Sequence, residues 1–298
     1  MKLPSSTLVI YFIVYFILFL LSIILHFILL SFISSPLCRT YVIDFCITCI
    51  LFFIGNHIFS WNNIYDLHWP LVPLICSLYF NFTLNPIDFL SFKCLPLIIL
   101  ISLWSFHLIW QTILSSNNTK HEDWRYQIMR QQYKNNFLVF AFFALYLLPM
   151  FEVLIGSSSI YYIYTNIHIY ESLPKMDILF LLIIFSGVLL ENIADKQLTA
   201  FRRHRQTSRE HRFAVLSNGL WKYSRHPNYL GEIIFWWGLF FLGNNYNAPL
   251  WCVLGPLLIT LMMIFGSIPM TEERLFRTYP EYKFVQQRIS RLIPTFEF

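Results

Sequence analysis

Eight apolar runs recur along this chain, and they decide what solvent it folds in. They are Thr7 to Ile33, Tyr41 to Ser60, Pro70 to Phe82, Leu90 to Leu114, Phe137 to Leu154, Met176 to Leu190, Glu232 to Leu242 and Leu250 to Ile268. Crossing a bilayer as a helix takes roughly 20 apolar residues, so the shorter runs pair, re-enter or continue into polar helix. In hydrocarbon every backbone amide must be satisfied within the chain, which leaves helices or closed barrels. The runs lack the alternation of barrel strands. The expected fold is all-α, a polytopic transmembrane helical bundle of about seven membrane helices. Composition agrees. Charged residues make up 12% and there are 31 Phe, against about 25% charged in a soluble domain. The first run is too long for a cleaved signal peptide and is expected to stay as a membrane anchor.

Polar islands separate the later runs: Ser115 to Asn136, Ser157 to Lys175, Glu191 to Tyr229, and Pro269 to Phe298. Two parts follow, residues 1–114 as N-terminal transmembrane helices and 115–298 as the part that carries chemistry. Lys196, Arg202, Arg203, Arg205, Arg209, Arg212, Lys222 and Arg225 place eight of the 21 basic residues within thirty positions. One reading of this run is topological, because positive loops stay on the cytosolic or matrix side. The other is an anion site, because the Arg fork meets phosphate with two parallel bonds. Net charge is only +5 and the basic residues abut membrane helices, so no nucleic-acid partner is expected. Cys46 and Cys49 form a CxxC inside an apolar run with no second pair, so they are read as core thiols and no metal site is expected.

The third island continues the apolar helix before it without a break. Glu191 and Asp195 are four apart and share a face, and Arg202 follows two turns on. A charge idle at the end of an apolar run costs about 2.5–3.5 kcal/mol if it lies deep, so these acids are candidate site residues. The segment from Gly219 to Glu232 is polar, basic and aromatic, and it leads into the next apolar run. In the last island Thr271, followed by Glu272 and Glu273, is expected to open a helix, which Tyr279-Pro280 then ends. That helix is either interfacial or closes over a site.

Several ordered elements carry a family resemblance. They are Ser224-Arg225-His226-Pro227-Asn228-Tyr229 with Gly231-Glu232 and Trp236-Trp237-Gly238; Glu122-Asp123-Trp124-Arg125-Tyr126; Glu191, Ala194, Asp195 and Gln197; Gly266-Ser267-Ile268-Pro269 with Glu272; and Asp66 with Trp69. From about Asp66 onward the chain resembles the C-terminal domain of the steroid 5-alpha-reductase superfamily. Within it the chain is most similar to the branch of membrane proteins known only by that domain. The resemblance implies that NADPH is held by the C-terminal helices. It puts Asn228 and Glu232 at the nicotinamide end, Trp236 along the same cavity, and Asp195 and Arg202 toward ribose and phosphate. Glu191 stands where related reductases have Asn. The same resemblance extends the cofactor-binding set to Arg125, Tyr126, Tyr223, Arg225, His226, Tyr229, Glu272, Tyr279 and Tyr282. Residue chemistry is compatible with it. Asn228 offers a donor and an acceptor to a carboxamide, Asp195 can accept from ribose hydroxyls, and Gly231 lets a backbone approach a ligand. His226 is either a phosphate contact or a loop residue. No Gly-x-Gly-x-x-Gly is present, which excludes a Rossmann site.

The activity implied is NADPH-dependent reduction of the C=C bond of a lipid or sterol-like enone. The partners are then membrane lipids and a lipophilic small molecule, in the endoplasmic reticulum or, alternatively, the mitochondrial inner membrane. Such a reduction also needs an acid. The steroid reductases use a Tyr in a His-Tyr-x-x-Arg-like stretch. The comparable stretch here, Trp104 to Gln111, lacks that Tyr and Arg. His107 is its titratable side chain and the catalytic candidate, with Tyr65 as the second. Two other readings share these motifs. One is an S-adenosylmethionine-dependent membrane methyltransferase, which has a similar Arg-His-Pro-x-Tyr-x-Gly and a closing pattern like Glu272-Glu273, Leu275, Tyr279 and Tyr282. The other is a non-catalytic membrane subunit of a larger complex.

Overall fold

The computed structural model describes residues 5–60, 62–87, 91, 93–115, 122–167, 174–207 and 215–294, so Arg209 and Arg212 lie outside the described residues. Every named element among those residues is helical. In chain order they are α1 (Ser5–Leu30), α2 (Pro36–Phe53, extended by a π turn to Ile58), a 3-10 turn (Asn62–Leu67), α3 (Leu71–Leu84), α4 (Leu95–Ser115), α5 (Trp124–Tyr133), α6 (Phe137–Phe140), α7 (Leu148–Asn166), α8 (Lys175–Thr207), α9 (Pro227–Asn245), α10 (Leu254–Met262), α11 (Ile268–Thr278) and α12 (Tyr282–Arg288). Among the described residues seven helical stretches are long and apolar enough to cross a membrane. They are Val9–Leu30, Pro36–Ile58, Asn62–Leu84, Leu95–Leu114, Trp124–Asn166, Lys175–Arg205 and Leu250–Thr278. The run Glu232 to Leu242 is not one of them; Asn228, Glu232, Asn244 and Asn245 dilute the apolar character of α9.

The chain divides into two compact units: Met1–Ser172 with Tyr246–Gly255, and Leu173–Asn245 with Pro256–Phe298. The first unit contains residues on both sides of Leu114. Ser35 caps α2, accepting from the Cys38 amide, and Pro36 needs no partner for an N–H it lacks. α3 packs on α4 and α7. Small hydroxyls tie these helices where no hydrophobic force between them exists in lipid. Ser77 and Tyr164 share a 2.9 Å hydrogen bond, Tyr41 and Ser158 one of 2.8 Å, and Asn85 Nδ2 donates to the Tyr164 carbonyl at 3.1 Å. Phe12, Phe16, Phe19 and Phe27 of α1 are exposed. Such a continuous apolar face would be a liability in water and is ordinary against acyl chains.

In the second unit α8 runs unbroken for 33 residues, carrying the third island out of the apolar helix as expected. α9 packs along it at backbone distance: a Cβ built on Gly231 would lie 2.6 Å from the Glu191 amide nitrogen and 2.7 Å from the Gly187 carbonyl. Gly231 therefore lets one helix approach another, where the sequence suggested approach to a ligand. α11 starts at Ile268, not at Thr271, because Pro269 fits the first turn and the preceding π turn feeds straight into it. It ends at Thr278, and Tyr279 is extended before Pro280.

Candidate functional site

The α8–α9 pair brings five of the expected cofactor residues onto facing surfaces. Asn228, Glu232 and Trp236 are spaced by one turn along α9, as are Glu191 and Asp195 along α8. Asn228 Nδ2 donates to Asp195 Oδ1 at 3.0 Å. Its own Oδ1 is buried with no hydrogen-bond partner among the described residues. Glu191, Glu232 and Trp236 are buried. An unsatisfied buried acceptor costs roughly 1–3 kcal/mol, so any donor that reached Asn228 Oδ1 would remove that cost.

The turn before α9 is fastened to α8. Leu220 N donates to Gln197 Oε1 at 3.0 Å, and Trp221 Nε1 donates to the Ala194 carbonyl at 3.0 Å. Gly219 starts the turn at φ +60, and a Cβ there would lie 2.6 Å from the Gln197 side-chain amide. Gly219→Ala should therefore cost about 1–2 kcal/mol for the left-handed backbone alone, read as a lower unfolding midpoint in detergent; no change would show that the turn relaxes freely.

The next residues form a latch between the turn before α9 and the C-terminal segment. Arg225 Nε donates to Glu272 Oε1 at 2.7 Å. Its Nη1 donates to the carbonyls of Gln286 at 2.9 Å and Ile289 at 2.6 Å, where α12 ends. The Arg225 amide donates to the Ser290 carbonyl at 2.9 Å. His226 Nε2 lies 3.1 Å from the same Glu272 oxygen, and its ring stacks on Tyr229 at 5.4 Å. Burial holds the His226 pKa below its ordinary value, with the Glu272 hydrogen bond opposing that shift. In the neutral ring Nε2–H donates to the carboxylate. Tyr282 is buried. Tyr279 lies under the Arg205 guanidinium at 4.8 Å. The Tyr223 carbonyl accepts from Ser290 Oγ at 3.0 Å. Arg225, His226 and Glu272 are thereby engaged with one another. Among the described residues Arg202 and Arg203 at the end of α8 are exposed, as are Lys196 and Lys222, and Asp195 is among the charges acting on Arg202.

The remaining expected residues belong to the first unit. Tyr126 donates its hydroxyl to Asp66. Arg125 Nε donates to Asp123 Oδ1 at 2.8 Å, and its Nη2 lies 3.9 Å from Asp66 Oδ2. Glu122 accepts from Asn62 Nδ2 at 2.7 Å and Arg130 Nη2 at 2.9 Å. These contacts join α5 to the 3-10 turn, an internal use for Arg125 and Tyr126. His107 is half-buried on α4. Tyr65 is buried, its ring 5.7 Å from His68 and 4.9 Å from Tyr146. His68 Nε2 and Asp44 Oδ1 are 2.8 Å apart and both side chains are buried. Sequence reasoning missed this pair, although Asp44 is an acid within the run Tyr41 to Ser60, and ionisable residues at membrane depth are rarely idle.

Fold and site together define a multi-pass helical membrane protein whose second unit carries a buried polar pair on adjacent helices and a charged latch beside it. The chain belongs to the family described as "Protein of unknown function (DUF1295)", whose model matches residues 52–289. It is 25% identical over 248 residues to "Uncharacterized protein C594.04c" of Schizosaccharomyces pombe, covering 77% of this chain and 71% of that one. No solved structure matches it.

Proposed function

We propose that this protein is a membrane-embedded, NADPH-dependent reductase of a lipid or sterol-like enone, in the steroid 5-alpha-reductase superfamily and in the endoplasmic reticulum membrane. The observation that carries the reading is Asn228, oriented by Asp195 at 3.0 Å and keeping a buried partnerless Oδ1. An amide oxygen in that state suits the carboxamide N–H of a nicotinamide. Glu232 and Trp236 continue the same face, Asp195 has acceptor capacity for ribose hydroxyls, and Arg202 and Arg203 supply positive charge for phosphate. When bound, the cofactor would supply the hydride; the protein's part is to hold and orient it.

NADPH at one hundred times its dissociation constant should stabilise the purified protein by about 2.7 kcal/mol, more than NADH does at equal concentration. Asn228→Ala should abolish that response while leaving the midpoint of the free protein within about 0.5–1.5 kcal/mol. A wild-type protein indifferent to NADPH overturns the reading. One observation favours S-adenosylmethionine instead: the latch engages Arg225 internally, which removes one of the cations expected for phosphate. Stabilisation by S-adenosylmethionine and not by NADPH would establish that alternative.

A further inference from the structure

Asp44 and His68 make a second buried polar centre, in the first unit, that the cofactor site does not use. Asp44 is on α2 and His68 just ahead of α3, so two segments converge to make the pair. Their side chains are 10% and 6% exposed, with Nε2 and Oδ1 2.8 Å apart. Asp44 Oδ2 is buried with no hydrogen-bond partner among the described residues, and the hydrogen bond of the His68 ring uses Nε2, leaving Nδ1 on its other side. The surroundings are aromatic. The rings of Tyr15 and Tyr65 lie 6.4 and 5.7 Å from the imidazole, and Tyr146 lies against Tyr65.

We propose that the His68–Asp44 pair is a binding site for a lipophilic molecule carrying one neutral oxygen, a hydroxyl or a carbonyl, which bonds to His68 Nδ1. Asp44 holds Nε2 and so fixes the ring with Nδ1 presented. A neutral imidazole offers Nδ1 as acceptor to a hydroxyl; a protonated one offers a donor to a carbonyl. The neighbouring carboxylate repels an anion, and the aromatic walls suit an apolar body. A buried dyad left without a partner is costly, so a ligand oxygen is accommodated there at little desolvation cost to the protein. Only the choice of a sterol-sized body rests on the reductase reading.

The test uses the full chain in nanodiscs, without NADPH, and three diazirine sterol probes: one with a 3-hydroxyl, one with a 3-ketone, one with no oxygen. The oxygenated probe that fits should label peptides of α2 and the segment leading into α3, and should compete about tenfold better than the deoxy probe, the ordinary worth of one hydrogen bond to a charged or strongly polarised group. The preference between hydroxyl and ketone reports whether Nδ1 accepts or donates. His68→Phe should lower the oxygenated probe to the deoxy level while the deoxy probe and the NADPH-induced stabilisation are unchanged. Equal competition by all three probes on the wild-type protein overturns the proposal whatever the variant does, and so does an unaffected His68→Phe; a dyad that holds only water gives those results. Oxygen-dependent labelling in a protein that ignores NADPH would retain this site and remove the reductase reading.

Discussion

Glu272→Gln should lower stability by about 3–5 kcal/mol, the cost of removing one partner of a buried ion pair. The Arg225 and Glu272 side chains are only 9% and 6% exposed. With an amide in place of the carboxylate, Nη1 keeps its two helix-end carbonyls and Nε can still donate to an amide oxygen, but the charge of the guanidinium is no longer balanced. Gln286 and Arg291 also reach Glu272, at 3.4 and 3.8 Å, so the loss should loosen α12 first. The readouts are the unfolding midpoint in detergent and faster tryptic cleavage after Arg288 and Arg291. Glu273 is the control. Its pair with Arg277 is exposed on one helix face and is worth about 0.2–0.5 kcal/mol. Replacing both latch partners together, Arg225→Met with Glu272→Leu, should recover part of the loss, because no bare charge then remains. An effect of Glu272→Gln no larger than that of Glu273→Gln would show that the latch is not what holds the C-terminal segment. One further variant separates latch from clamp: if Arg225 gripped phosphate, Arg225→Lys would weaken the NADPH response with little change in the midpoint of the free protein.

What could be read in advance, and what could not, follows from the range of the interaction. The helical membrane class was legible because hydrocarbon imposes one rule on every residue of a run. α8 was legible as one continuous helix because no proline interrupts it and its acids fall four apart. The end of α11 at Tyr279-Pro280 is local chemistry and was equally plain. The destination of Arg225 was not. An arginine in a basic segment reads the same whether its fork meets a ligand phosphate or Glu272, 47 positions away in sequence. Arg125 and Tyr126 repeat that lesson, since their carboxylates, Asp123 and Asp66, lie one beside them and one 60 positions off. The Asp44–His68 pair was hidden for the opposite reason. Asp44 is conspicuous as an acid in an apolar run, but its partner is 24 positions away, and only the meeting of α2 with the segment before α3 makes the two a centre.

Gly231→Ala should destabilise by about 1–3 kcal/mol, although propensity alone favours it. In an open helix Ala is better than Gly by about 0.8–1.0 kcal/mol. At position 231 the added methyl would sit 2.6 Å from Glu191 N, 2.7 Å from the Gly187 carbonyl oxygen and 2.8 Å from Glu191 Cβ. Two of those atoms are helix backbone, so no side-chain rotation relieves the overlap, and overpacking of this kind costs typically 1–3 kcal/mol. α8 and α9 must therefore move apart. Gly266 separates the two effects, because a Cβ there meets only Met262 Cγ at 4.0 Å; Gly266→Ala should be neutral or slightly stabilising. The functional consequence follows from the same spacing. Asn228 is three residues from Gly231, and its 3.0 Å bond to Asp195 spans the gap that the methyl would widen. Gly231→Ala should thus lose both midpoint and NADPH response, whereas Asn228→Ala loses the response and largely keeps the midpoint. If Gly231→Ala is destabilised yet still responds fully to NADPH, the cofactor is held somewhere other than on these two helices.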